Sequence, residues 1–443
     1  MKTKSRLVDI FYLYLFGLLL MGLSPMVGAA VAPTEEREWT SVAGTKVQGV
    51  VLSVAGENAR LRKPDGSEIV VPLAKFVPED RAFLEHHFRA ASAPATPTPP
   101  TSAGKSVPLA APLAHPSGQV SGPHDAGKGS HYFIYIPNSL KEKRGAPLLF
   151  YTGSIGGTAS HVKAHIKGAE INGWIVAASV ESKNKSGLEK NLEHTENCLE
   201  HLTKILPIDR DRLYFTGSSG GGALAFENAV RHRAAGAMPI IGYMTDEKPA
   251  KGTHYYVLGG ATDFNRYHCA TAAEAAGPRG FHRIYAGGHS DPQPWIRDEA
   301  MTWLNGRYLE TKKADRKFDD ERLDWEAAML AWLNELKVET PYRAYYWCQF
   351  LRNIYEISGT NAAAVVAIAT ELARDPINVR YAEGIDEINA FSKRYLSEDS
   401  LGSSFSHTTP KIQSAAARLK EKYAGVPHIE EVAKHLGYAT AKK

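Results

Sequence analysis

Between about residue 131 and residue 308, short apolar runs alternate with segments of helical spacing, and this alternation constrains the chain most. His131–Ile136, Pro147–Tyr151, Trp174–Val180 and Arg212–Thr216 read as strands, as do stretches near 238–242, 254–259 and 281–286. Between them, Leu188–Ile205 places Leu192, Cys198 or Leu199, Leu202 and Ile205 near helical spacing, and Gly221–Arg231 and 294–308 also read as helices. A chain that alternates in this way is expected to form an α/β unit. Its sheet should be doubly wound and mainly parallel, because each crossover helix returns the chain to the same end of the sheet.

The flanking regions differ in character. Lys2, Lys4 and Arg6 precede an uncharged, mostly apolar run from Ile10 to Leu23, with small residues at Val27-Gly28-Ala29 and Ala30-Val31-Ala32. That layout predicts a secretory signal peptide over 1–32, too short in its apolar part for the about 20 residues of a bilayer span. It predicts a secreted or periplasmic protein with no stable membrane span after cleavage. Residues 37–88 hold strand-like segments around the turn signal Pro64-Asp65-Gly66, where Asp-Gly accommodates positive φ, and predict a small β-barrel. Prolines crowd residues 91–123 among Ala, Ser and Thr, so 91–128 is expected to be an extended linker. Residues 320–440 contain helix-spaced segments at 322–337, 342–357, 361–373, 377–395, 410–423 and 428–436, and predict an all-helical accessory domain behind a catalytic domain at 129–312.

Of 443 residues, 43% are apolar and 23% charged, which excludes wholesale disorder. The net charge of +4 is small for this length and argues against a nucleic-acid partner held by phosphate neutralisation. The three cysteines, Cys198, Cys269 and Cys348, permit at most one disulfide, and pairing of Cys198 with Cys269 is left open.

The sharpest motif is Leu213-Tyr214-Phe215-Thr216-Gly217-Ser218-Ser219-Gly220-Gly221-Gly222, which contains G-x-S-x-G between a strand and a helix. A serine at so tight a turn stands above the sheet edge, and Gly217 and Gly221 remove side chains that would collide with it. Ser219 is therefore the expected nucleophile, ahead of Ser218. A serine needs a base, and the base an orienting acid, here in the chain order Ser, Asp, His. Asp263 follows the strand Tyr255-Tyr256-Val257-Leu258, and His289 follows Arg283-Ile284-Tyr285. These two are the expected acid and base. Asp246 is the reserve acid, and Asp291 is passed over as too near His289 in sequence. His282 falls within its strand and takes no catalytic role. His161 and His165 have zinc-ligand spacing, but no Glu follows His161, so no metal is expected. Oxyanion donors are expected from the N–H of Gly220 and from Gly153 or Ser154 in the loop Thr152-Gly153-Ser154-Ile155-Gly156-Gly157.

With Ile208-Asp209-Arg210-Asp211-Arg212-Leu213-Tyr214-Phe215-Thr216-Gly217-x-Ser219-x-Gly221-Gly222, residues 129–310 resemble the α/β-hydrolase superfamily, near polyhydroxybutyrate depolymerases and feruloyl esterases. The resemblance implies a serine carboxylic ester hydrolase with no cofactor. It departs at Thr152-Gly153, where that group usually has His-Gly. The short stretch from Ser219 to Asp263 leaves little room for a lid and suits a bulky or polymeric ester. Alternatives are a serine peptidase of the same fold and an inactive cell-surface binding protein. Residues 37–88 resemble the small homology domain named after the actin-patch adaptor Sla-one, through Arg37-Glu38-Trp39-Thr40, Gly44, Val47, Leu61, Asp65-Gly66, Val71-Pro72-Leu73, Phe76 and Glu79-Asp80. That resemblance implies a peptide or protein partner for the unit.

Overall fold

A computed structural model describes residues 37–42, 45–55, 58–65, 67–77, 80, 81, 84, 113–140, 145–244, 248–397 and 409–437. The signal-peptide segment and Asp246 lie outside the described residues. Contacts divide the chain into two units, 1–107 and 108–443.

In the first unit, β1 (Arg37–Thr40), β2 (Lys46–Ala55), β3 (Asn58–Arg62) and β4 (Glu68–Pro72) form an antiparallel sheet in chain order. Alternation in β3 sends Ala59 and Leu61 inward, where they meet Trp39, Val51, Leu73 and Phe76. The Trp39 indole N–H donates to Gly49 O at 2.8 Å, so the buried ring keeps a hydrogen bond. An antiparallel bridge joins Ser41 to Phe76, linking the end of β1 to the segment after β4.

The second unit is built on eight strands: β5 (Val120–Asp125), β6 (His131–Tyr135), β7 (Ala146–Thr152), β8 (Ile175–Ser179), β9 (Ile208–Ser218), β10 (Gly236–Ile240), β11 (His254–Gly260) and β12 (Gly280–Tyr285). Their order is β12-β11-β10-β9-β7-β8-β6-β5. The six from β8 to β12 pair in parallel, and β6 and β5 add antiparallel pairs at one side. The expected mainly parallel sheet is thus present with helices on its faces, and the antiparallel pairs of β5 and β6 make it mixed. Successive residues of a strand point to opposite faces. Leu149, Tyr151, Val176, Tyr214 and Leu258 accordingly join one core, and Leu148, Phe150, Ile175, Phe215 and Val257 join another. Helices α3 (Leu188–Ile205) and α4 (Gly220–Arg231) cover the second core. Helices α1 (Ala159–Lys163), α2 (Ile166–Asn172) and α6 (Pro294–Thr311) cover the first. Helix α5 (Arg266–Ala275) follows β11.

Two expectations change. The stretch 91–128, read as a linker, contains β5, which pairs with β6 through Val120–Tyr135 and Asp125–His131. The region 320–440 is not set apart by contacts. Helices α7 (Asp319–Glu339), α8 (Pro341–Asn353), α9 (Gly359–Leu372), α10 (Pro376–Phe391), α11 (Pro410–Lys422) and α12 (Ile429–Leu436) bury their apolar sides in the same core as the sheet. Trp325 of α7 donates to Asn172 Oδ1 at 2.9 Å, and the Asn389 side chain accepts from the backbone N–H of His282 at 3.0 Å. The cysteines are all free and buried, and burial pushes the Cys198 and Cys348 thiols up to about 12. Among the described residues, no helix is long and apolar enough to cross a membrane.

Candidate active site

Strand β9 lies at the middle of the parallel sheet, between β7 and β10. The chain winds one way from β7 to β8 and the other way from β9 to β12, so the winding reverses at β7 and β9. Open α/β sheets bind ligands outside the carboxyl ends of their strands at such a reversal. Ser219 follows β9 at that point and caps α4 with φ +57 and ψ −120. Positive φ in a non-glycine residue costs on the order of 1–3 kcal/mol and persists only where its surroundings enforce it. Here they do. The Ser219 N–H donates to Ile240 O at 2.9 Å. A Cβ on Gly217 would lie 2.1 Å from Thr152 O, and one on Gly221 would lie equally close to the same atom. Only glycines allow β7, the turn and the helix to approach this closely.

His289 follows β12 and Asp263 follows β11, at the same edge of the sheet. His289 Nε2 lies 2.9 Å from Ser219 Oγ, and His289 Nδ1 lies 2.9 Å from Asp263 Oδ1. The imidazole thus bridges hydroxyl and carboxylate. Asp263 is fully buried and accepts a second hydrogen bond from the Asn265 N–H at 2.9 Å. Its Oδ2 has no hydrogen-bond partner among the described residues. A buried carboxylate facing an imidazole Nδ1 fixes the tautomer in which Nε2 is free to accept a proton. Phe264, 52% exposed, stacks on the His289 ring at 4.2 Å and covers one of its faces.

Gly220 is the first residue of α4, so its N–H has no acceptor within the helix. The loop after β7 packs against the turn: Thr152 Oγ1 donates to Gly221 O at 2.9 Å, and a Cβ on Gly221 would lie 3.0 Å from Gly153 Cα. Ser154 O accepts from the Asn184 N–H at 3.0 Å, which ties that loop to the segment after β8. The Asn184 side chain stands against Gly220, where a Cβ would lie 1.9 Å from its Oδ1.

The residues passed over lie elsewhere or differently bonded. Ser218, the rival nucleophile, donates its hydroxyl to Asp291 Oδ1, and Asp291 Oδ2 pairs with Arg297 at 2.8 Å. His282 is buried in β12 against the Ser392 hydroxyl. His161 stacks on Tyr151 at 4.5 Å, and His165 Nδ1 meets His161 O at 2.7 Å. Among the described residues, no group of three or more His, Cys, Asp or Glu is placed to hold a metal ion. The roles of Phe264, Asn184 and Asp291 beside the bridge are not visible in the sequence, because each depends on a contact between distant segments.

No family model matches the chain, and no curated protein matches it. Solved structures resemble part of it. A thermostable esterase is 20% identical with a TM-score of 0.33, over 40% of this chain and 58% of its own. A hyperthermophilic esterase from the archaeon Pyrobaculum calidifontis is 14% identical with a TM-score of 0.35, over 45% and 85%. An ester-hydrolase from the metagenome of Lake Arreo is 15% identical with a TM-score of 0.36, over 44% and 85%.

Proposed function

We propose that residues 108–443 form a serine hydrolase of α/β-hydrolase type that cleaves carboxylic esters. One observation carries the reading: His289 lies 2.9 Å from both Ser219 Oγ and Asp263 Oδ1. In the proposed reaction Ser219 Oγ attacks the acyl carbon while His289 Nε2 takes its proton. The tetrahedral oxyanion rests against the N–H groups of Gly220 and of Gly153 or Ser154. Collapse expels the alcohol, which takes the proton from His289, and leaves an acyl-Ser219 ester. Water, deprotonated by His289, then releases the acid and restores the hydroxyl. Asp263 orients the imidazole and stabilises its protonated form.

Ile155, Tyr243 and Phe264, 82%, 45% and 52% exposed, follow the ends of β7, β10 and β11. Apolar side chains on the loops around the hydroxyl favour an ester with a bulky or polymeric apolar part. Export directed by residues 1–32, and a peptide-binding role for the 37–88 unit as a Sla-one-type domain, belong to the same proposal. The test is turnover of short p-nitrophenyl esters by wild type and Ser219→Ala. Removing a triad serine is expected to cost on the order of 10⁶ in turnover. Equal rates in the two proteins would reject the reading.

A further inference from the structure

The segment that carries His289 lies between β12 and α6 and contains no helix or strand of its own. Left alone, each residue of such a segment gains about 1–2 kcal/mol of conformational entropy by moving, whereas proton transfer needs its groups held within about 0.5 Å. Near its start the segment is secured by Thr262, whose N–H and Oγ1 both donate to Gly287 O, at 2.9 and 3.0 Å. The Tyr285 hydroxyl donates to Ser290 O. Beyond His289 the anchor is the Asp291 carboxylate. Its Oδ1 accepts from the Ser218 hydroxyl and its Oδ2 pairs with Arg297 Nη2 at 2.8 Å. Ser218 is the last residue of β9 and directly precedes Ser219. Arg297 comes from α6 and is 6% exposed, and Ser218 is 9% exposed. The carboxylate therefore joins the strand that presents the hydroxyl to the loop that presents the imidazole, and a buried guanidinium from a third element holds it in place.

We propose that Asp291 is a positioning residue: through Ser218 and Arg297 it holds the His289 loop against the Ser219 turn and so sets the distance between hydroxyl and imidazole. The proposal rests on the hydrolase reading above. A hydrogen bond to an ionised carboxylate is roughly twice as strong as a neutral one, so this link is better suited to the task than a second neutral pair. Asp291 lies two residues from the imidazole yet points to the residue before the nucleophile, which gives it a role distinct from that of Asp263. It touches no substrate in this account. Its loss should lower kcat and leave KM unchanged.

The test compares the full chain as wild type, Ser218→Ala, Asp291→Ala, Asp291→Asn and the Ser218→Ala/Asp291→Ala double variant. Steady-state hydrolysis of p-nitrophenyl acetate is measured, with folding checked by circular dichroism. Misplacement of the imidazole by about 1 Å is expected to lower kcat about 100-fold in Asp291→Ala, with KM within about twofold of wild type. Asp291→Asn keeps an oxygen that can accept from Ser218 and should recover part of the loss. The double variant should be no slower than Asp291→Ala, because both single changes break one link. Wild-type kcat in folded Asp291→Ala overturns the proposal; if that variant does not fold, wild-type kcat in Asp291→Asn does so. A loss confined to KM, or losses that multiply in the double variant, also overturn it. An active wild type with unaffected variants rejects this proposal alone. An inactive, folded wild type rejects the hydrolase reading and this proposal with it.

Discussion

Ser219, Asp263 and His289 stand out in the sequence because each follows a strand, and strand ends are marked by local apolar runs. Their mutual distances are tertiary facts. Asp291 shows the difference: its nearness to His289 in sequence hides a partner, Ser218, on another strand. The surroundings of the buried histidines are tertiary facts as well. His165 and His282 are fully enclosed, and each keeps an Nε2 with no hydrogen-bond partner among the described residues. Burial pulls both imidazoles from their ordinary value of 6.5 down to about 3, aided by Arg297 at His165 and by Lys393 at His282. In the unfolded chain they take up protons near pH 6.5, while in the folded chain they stay neutral until about pH 3. Across that window the unfolded state binds more protons, so stability is full above pH 6.5 and falls as the pH falls towards 3. Each histidine contributes a slope of about 1.4 kcal/mol per pH unit. Urea unfolding at pH 7.5 and pH 5 should show lower stability at pH 5, and equal or greater stability there would contradict the burial of these rings as neutral bases.

Elements with a strong period were legible and elements without one were not. Leu188–Ile205 carries a regular apolar face and forms a helix over the expected residues. Helices α1 and α2 run through Ala-Ser-His-Val-Lys and Ile-Lys-Gly-Ala-Glu-Ile-Asn, where glycine and short side chains blur the period. Strand β5 was hidden because its Gly122-Pro123 continues a proline-rich run, although proline is tolerated on an edge strand whose N–H faces outward. The helical spacing of α7 was legible, but not the partner against which Trp325, Met329, Trp332 and Leu336 are buried. A buried charge cluster joins α6, α8 and β12. Glu299 of α6 accepts from Arg343 Nε of α8 at 2.8 Å and lies 3.9 Å from Arg283 of β12. Glu299→Ala leaves two buried guanidinium groups short of their carboxylate, which should destabilise the fold by about 3–5 kcal/mol. Denaturant unfolding checks this, and a loss below about 1 kcal/mol would show that helix packing stands without the cluster.

In the 108–443 unit, the sheet, its covering helices and the six C-terminal helices share continuous cores, so the site is supported from both faces. The sequence conveyed the alternation that builds the sheet. It did not convey that the later helices complete one of its faces, since helical spacing shows which side of a helix is apolar but not what covers it. Hydrolysis by this unit depends on an activated hydroxyl at Ser219. The most direct test is mass spectrometry of the folded protein after exposure to a fluorophosphonate, in which a serine oxygen displaces fluoride from phosphorus. One phosphonyl adduct is expected, on Ser219, lost on denaturation before exposure and absent from His289→Ala. A folded protein that stays unlabelled, or that carries the adduct on Ser218, would contradict it.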